Sequence, residues 1–124
     1  MYDSQQKIER LVRDFESCAI QAADFHHREH LIVTVWYLQT LSRAEVVERM
    51  RSGLLRFLDH HGVDRKKYSE EVTVFWVDAV ATTLEGISAD ASLVDKCNQI
   101  VSNFSSTART PASRVEDEVS LGKS

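Results

Sequence analysis

The chain is poor in the residues that punctuate turns: its 124 positions hold four glycines and one proline, Pro111. That scarcity argues against the turn-rich β-sandwich and barrel classes, and no Gly-rich phosphate loop or G-x-S-x-G elbow occurs. Cysteine is scarce as well. Cys18 and Cys97 are the only two, too far apart for a redox CxxC pair or a zinc ribbon, so both are expected as buried, reduced thiols on separate helices. Positive charge is not in excess: 15 Lys and Arg stand against 19 Asp and Glu, a formal net charge of -4. A protein that grips nucleic acid by neutralising phosphates is normally basic, so no nucleic-acid partner is expected. Long apolar runs are missing too. The longest, Leu31 to Leu38, is interrupted by Thr34 and falls far short of the roughly 20 residues that span a bilayer. The first ten residues have no basic stretch leading into an apolar one, as a secretory signal would. A cytoplasmic protein without a membrane partner is the expectation.

What the chain does have is helical periodicity. Apolar residues make up 43% of it and charged residues 27%, ordinary for a soluble globular domain. Ile8, Leu11, Val12, Phe15, Cys18 and Ala19 recur at steps of three and four, which predicts a first helix over Ser4–Ala23 with Ser4 as its cap. Residues His26–Leu41 are rich in β-branched side chains. The run is about 16 residues long, free of Gly and Pro and without strict alternation, so helix is preferred to strand. Ser42-Arg43-Ala44-Glu45 is a capping-box sequence and opens a third helix. That helix runs through Leu58, with His60 and His61 in its last turn and Gly62 just beyond, where a left-handed residue is favoured. A fourth helix is predicted over Tyr68–Leu84, with Val72, Phe75, Trp76, Ala79, Val80 and Thr83 on its apolar side, and a fifth over Ala91–Phe104. The fold class is therefore all-α: a single-domain compact bundle of four to five helices over residues 1–104. Residues 105–124 turn polar and carry the one proline, as expected of a flexible tail.

Two clusters in this framework carry chemistry. Three of the five histidines fall in one turn, Phe25-His26-His27-Arg28-Glu29-His30-Leu31. On a helix, residues three or four apart share a face, so His30 pairs with His27 or His26, half of a transition-metal site of the kind Zn or Fe accepts. The same residues satisfy H-x-x-E-H, but the chain has no room for the cleft of an inverted zinc protease. A ferritin-like di-iron site needs two acid-x-x-His pairs, and Asp24-x-x-His27 is the one candidate. The second cluster opens the fourth helix, Lys67-Tyr68-Ser69-Glu70-Glu71-Val72-Thr73-Val74-Phe75-Trp76. There Glu70, Thr73 and Trp76 lie on one stripe. Each cluster also has a plain structural explanation. Acidic residues in a first turn suit the helix dipole, and Trp76 at helical spacing suits a core.

Together the motifs Phe25-x-His27-x-x-His30-Leu31 and Lys67-Tyr68-x-Glu70-x-Val72-Thr73-x-x-Trp76 resemble an uncharacterised family of small all-helical bacterial proteins. The second motif there usually reads Lys-Tyr-His-Glu-Thr-Ile-Thr-x-x-Trp, and a Ser-rich segment with an Ala-Arg pair follows, here Ser105-Ser106-Thr107-Ala108-Arg109. The resemblance covers about residues 20–110 and carries no assigned activity. It implies a metal or acid-base site between the second and fourth helices. The chain departs from the motif at Ser69, where the family has histidine, and at Glu71, where it has threonine.

The expected site is thus a polar pocket between helices two and four. His27, His30 and Glu70 would hold a divalent metal such as Zn or Fe, while Thr73 and Tyr68 orient a ligand or water. With Glu70 and Thr73 as catalytic residues, such a site would suit metal-dependent hydrolysis or hydration of a small molecule. The competing expectation is a non-catalytic interaction module or homodimer anchored by Trp36, Tyr37 and Trp76. Binding of DNA through helices three and four is disfavoured, because two glutamates begin the fourth helix and phosphates would repel them.

Overall fold

The element that fixes the architecture is the second helix, α2 (His27–Leu38), in which Leu31, Ile32, Val33, Thr34, Val35 and Tyr37 are all buried. A helix that is apolar all round belongs in the middle of a protein. In the computed structural model, which describes residues 4–105, four further helices surround it: α1 (Gln5–Glu16), α3 (Arg43–His60), α4 (Glu70–Glu85) and α5 (Leu93–Ser105). Every one of the four packs against α2. Short 3₁₀ turns at Ala22–Asp24 and Arg65–Lys67 lead into α2 and α4. The described residues contain no strand, so the chain is the all-α bundle that its periodicity predicts. The expected polar tail falls, from residue 106 onward, outside the described residues.

The helix ends show why some boundaries move. The capping box at α3 forms as its sequence predicts: the Ser42 N–H donates to Glu45 Oε1 at 2.9 Å and the Glu45 N–H to Ser42 Oγ at 3.2 Å. At the other end Gly62 sits at φ 69°. There the Val63 N–H reaches back to Leu58 O at 2.8 Å and the Gly62 N–H to Asp59 O at 3.3 Å. This pair of bonds satisfies the last carbonyls of a helix around a left-handed residue. The first helix closes in the same way and seven residues sooner than its periodicity suggests. Cys18 takes the left-handed position at φ 63°, with the Ala19 N–H on Asp14 O at 2.8 Å and the Cys18 N–H on Phe15 O at 3.1 Å. A non-glycine residue there costs about 1 kcal/mol, which burial of the Cys18 thiol offsets. Cys97 is buried and unpaired with Cys18, as expected.

An aromatic cluster holds the helices in place. Phe15 of α1 stacks on Phe25 with ring centroids 4.8 Å apart, and both rings meet Phe57 of α3, at 6.0 and 5.3 Å. All three are fully buried. Gly53, in the middle of α3, makes this possible: a Cβ there would lie 2.7 Å from Phe15 Cε2 and 2.8 Å from Cζ. The large aromatics of the interaction-module expectation are mostly inside. Tyr37 and Trp76 are 4% and 8% exposed, and Trp36 is half-buried. Phe75, expected on the apolar side of α4, is instead exposed beside Val74.

Replacing Gly53 by alanine sets two effects against each other. Alanine gains about 1 kcal/mol of helix propensity, whereas forcing a methyl into a closed ring cluster costs roughly 1–3 kcal/mol. Overpacking should win, because Phe15 has nowhere to go. Gly53→Ala is expected to lower the thermal midpoint by several degrees, and Phe15→Leu in the same chain to recover part of the loss. A higher midpoint in the single variant would show that the ring gives way.

Candidate functional site

Because α2 is surrounded by apolar helices, the placement of its polar residues is constrained. His27, His30 and Thr34 follow one another at steps of three and four and so form one stripe. That stripe lines a cavity of about 30 Å³, walled across from α2 by Thr73, Trp76 and Val77 of α4 and floored by Met50 and Leu54 of α3. A single water needs about 10–15 Å³ by this kind of measure, so the space admits more than one atom-sized group.

The hydrogen-bonding state of each lining group follows from its neighbours. The Thr34 hydroxyl donates to His30 O at 2.8 Å, and the Thr73 hydroxyl donates to Ser69 O at 3.2 Å. Thr34 has thus spent its one proton on the preceding turn of its own helix and offers the cavity lone pairs alone, whereas the Thr73 hydroxyl also shares a side-chain hydrogen bond with Tyr68. The Trp76 indole packs edge-on to His27 at 4.6 Å and to Phe104 of α5 at 5.3 Å. Its Nε1, a donor with no acceptor character, is buried without a hydrogen-bond partner among the described residues. His30 lies against the Phe25 ring at 4.5 Å, and its Nε2 is likewise buried without a partner among the described residues. Burial, reinforced by neighbouring His27, lowers the His30 pKa from 6.5 to about 3. Burial also lowers His27 to about 4, against a smaller opposing pull from Glu29. Both imidazoles are therefore neutral near pH 7, and among the described residues no charged side chain lines the cavity.

Glu29, the acid of the H-x-x-E-H pattern, does not face this space as a base. Its buried carboxylate caps α2, accepting from the His26 N–H at 2.7 Å and from Arg28 Nε at 3.3 Å. Ser69 is the N-cap of α4, its Oγ accepting from the Val72 N–H at 3.3 Å.

Of the residues singled out from sequence, the structure brings His27, His30 and Thr73 to one cavity and leaves Glu70 off it. Glu70 opens α4 with its side chain about half exposed. One carboxylate oxygen takes the Tyr68 hydroxyl at 3.1 Å and the other meets Arg51 of α3 at 3.3 Å. Tyr68 stands behind Thr73, its hydroxyl pushed up to about 12 chiefly by burial. Among the described residues no three His, Cys, Asp or Glu side chains gather where they could hold a metal ion. The set His27, His30 and Glu70 is thus not assembled, and the two imidazoles alone do not make the three-ligand arrangement of a catalytic zinc or facial iron site. Thr34, Met50, Leu54 and Val77 complete the cavity and were missed as site residues from sequence. Thr34 had a signal, since it continues the His27–His30 stripe by one turn.

Two larger surface depressions differ in kind, because their polar groups are already spent on one another. In one, of about 340 Å³, the Tyr37 hydroxyl donates to Glu16 Oε2 at 2.5 Å and Arg49 lies 5.4 Å above the Tyr37 ring. In the other, of about 520 Å³, Arg43 binds Glu85 and Asp78, and Lys96 donates to Gln39. No helix among the described residues is long and apolar enough to cross a membrane. Comparison with models of known protein families, with curated proteins and with solved structures finds no match.

The neutral histidines make stability depend on pH. In the folded state both stay unprotonated well below 6.5, the value they regain on unfolding. As pH falls the unfolded chain takes up protons that the folded one does not. Their contribution is thus complete above about pH 6.5 and is lost on the way down to about pH 3–4, with a slope approaching ~1.4 kcal/mol per pH unit for each. Urea denaturation at pH 7 and pH 5 should show a marked fall, and His30→Gln should make that fall shallower. An unchanged slope in the variant would mean that His30 is not held neutral by the fold.

Proposed function

We propose that the protein binds a small molecule in the cavity between α2, α3 and α4, with His27, His30, Thr34, Thr73 and Trp76 as its polar contacts. One observation carries this reading: two hydrogen-bonding atoms, His30 Nε2 and Trp76 Nε1, are buried without a protein partner among the described residues at side chains that line the same space. Leaving such a group unsatisfied costs about 1–3 kcal/mol, and natural folds rarely retain that cost twice in one place unless something fills the gap. The lining has the composition of a ligand site, apolar walls with a few convergent polar groups, on a scale of about 30 Å³ that takes two waters or a ligand group of two or three atoms.

Binding is favoured over the hydrolytic chemistry expected from the sequence. Glu70 is engaged by Arg51 and Tyr68 on the outside of α4. A divalent metal held by His27 and His30 would have to draw its remaining ligands from solvent or substrate. An imidazole with so low a pKa is a poor proton acceptor near neutrality. The interaction-module alternative has one support, the exposed pair Val74 and Phe75 on α4, about 40% accessible each. Two residues fall short of the several-hundred-Å² patch that marks an interface.

A fragment screen on the full chain tests the proposal, read both by thermal shift and by the two tryptophan indole N–H resonances, with Trp36→Phe assigning the Trp76 signal. True ligands should move the Trp76 resonance, raise the thermal midpoint by several degrees at saturating concentration, and lose at least tenfold in affinity in His30→Phe, which fills the space. His30→Gln, a polar variant, guards against a folding failure. Zinc and ferrous iron are added in separate arms; stoichiometric metal abolished by His27→Ala/His30→Ala would move the reading to a metal site. Hits that bind His30→Phe as well as the natural chain would place them elsewhere and overturn the proposal.

A further inference from the structure

Going beyond the small-molecule reading, we infer that the same cavity also takes a soft monovalent metal ion, Cu(I), held by His27 and Nε2 of His30 on α2 and by the thioether sulfur of Met50 on α3. These three side chains line one space of about 30 Å³, which is room for an ion and a water. His27 and His30 stand three residues apart, a spacing that brings their Cβ atoms to about 5–6 Å on one helix face, and they are close enough for charge on His27 to bear on His30. His30 Nε2 is buried without a hydrogen-bond partner among the described residues, and Met50 is 2% exposed. A thioether is a soft, polarisable donor with little to offer a hard cation. Imidazole accepts copper as well as zinc, so it is the sulfur that selects Cu(I).

Charge points the same way. The Born cost of burying an ion grows with the square of its charge, and among the described residues no carboxylate lines the cavity. Zinc and ferrous iron complete their coordination with further protein ligands, carboxylates or waters, for which a space of this size has no room. A single positive charge is easier to place. Glu29 is buried beside the site, and its negative charge is felt at His27. Arg28 shares that carboxylate, but its side chain is 51% exposed and its charge is screened by solvent. Both imidazoles are neutral near pH 7, so no proton has to leave before a metal binds. The Trp76 indole, 4.6 Å from the His27 ring, sets an electron-rich system beside the ion. Its N–H, which cannot ligate, is left to donate to the water that shares the space.

The test titrates the full-length chain with Ag(I), a redox-inert ion of the same charge and softness, while the Trp76 indole N–H and the Met50 methyl resonances are followed. Cu(I) is then titrated without oxygen against bicinchoninate as a chromogenic competitor, and zinc in parallel. Both resonances should shift saturably at one equivalent, and Cu(I) should bind at least a hundredfold more tightly than zinc. Met50→Leu, which conserves core volume, should weaken Ag(I) and Cu(I) at least tenfold and leave zinc unchanged. His30→Gln should weaken both soft ions by at least as much, with thermal midpoints confirming that each variant is folded. Undiminished Cu(I) affinity in Met50→Leu, or zinc bound as tightly as Cu(I), would overturn the inference. So would Ag(I) that binds at the thiols of Cys18 or Cys97 and leaves the two resonances in place. Cu(I) bound as expected, with no fragment moving the Trp76 signal, would uphold this site and sink the small-molecule reading. Fragments bound without Cu(I) would do the reverse.

Discussion

A helix that is wrapped on every side by other helices has nowhere to send a polar group, and that constraint governs this structure. In α2 the apolar positions run almost continuously from Leu31 to Tyr37. The helix therefore gains most of its stability from packing rather than from its own β-branched residues, which are indifferent helix formers. Its polar atoms are disposed of one by one. The N-cap amide of His26 is met by Glu29, a carboxylate tolerated at 5% exposure because it receives that N–H and Arg28. The Thr34 hydroxyl folds back onto His30 O. What remains, the two imidazoles, goes to the small cavity between the helix, α3 and α4. The candidate site is where the central helix puts the polarity that it cannot hide.

The same rule explains which parts of the fold are legible in the amino-acid sequence. Capping chemistry is readable when the residue types are the usual ones. Ser42, Glu45 and Gly62 bound α3 where they should, because a hydroxyl, a carboxylate and a residue without Cβ have few other uses at those positions. Cys18 performs the same closure as Gly62 with an identical pair of backbone bonds, yet nothing in a cysteine announces a left-handed turn. Its thiol is needed in the core, so packing rather than backbone preference chose the residue. Periodicity, which continues past Cys18 to Ala19, therefore predicts a helix seven residues too long. Phe75 misleads in the opposite direction. It stands next to Trp76 in sequence, and Trp76 rather than Phe75 turns inward, because the face that α4 buries carries Val72, Thr73, Trp76, Val77, Val80 and Ala81, and Phe75 lies outside it.

The site was readable to a similar degree. His27, His30 and Thr73 could be found because their spacing places them on faces that the bundle must bring together. Glu70 shares a stripe with Thr73 and Trp76 on paper, but it lies in the first turn of α4, beyond the end of the cavity, and a cation on another helix competes for it. That cation, Arg51, sits 19 residues away on α3 and also pairs with Glu48. Long-range pairing of this kind leaves no trace in local spacing. Met50 and Leu54 were missed for a related reason. They belong to a helix whose own pattern reads as ordinary core, and only the packing of α3 under α2 and α4 turns them into a floor.

The aromatic cluster ties the candidate site to the stability of the whole domain. Phe25 touches Phe15 on one side and the His30 ring on the other, at 4.8 and 4.5 Å, so the wall of the cavity is backed by the same stack that Gly53 makes room for. A close-packed interior transmits displacement instead of absorbing it. A change that moves Phe15 must therefore be felt at His30, although α1 contributes no residue to the cavity. This coupling bears on what the pocket can be. An imidazole fixed by ring contacts, unprotonated and held at constant orientation, is organised before any ligand arrives, so little ordering is left to be done on binding. The rigidity also narrows what fits, because a cavity of about 30 Å³ whose walls are core cannot swell without loosening the contacts that hold α1, α2 and α3 together.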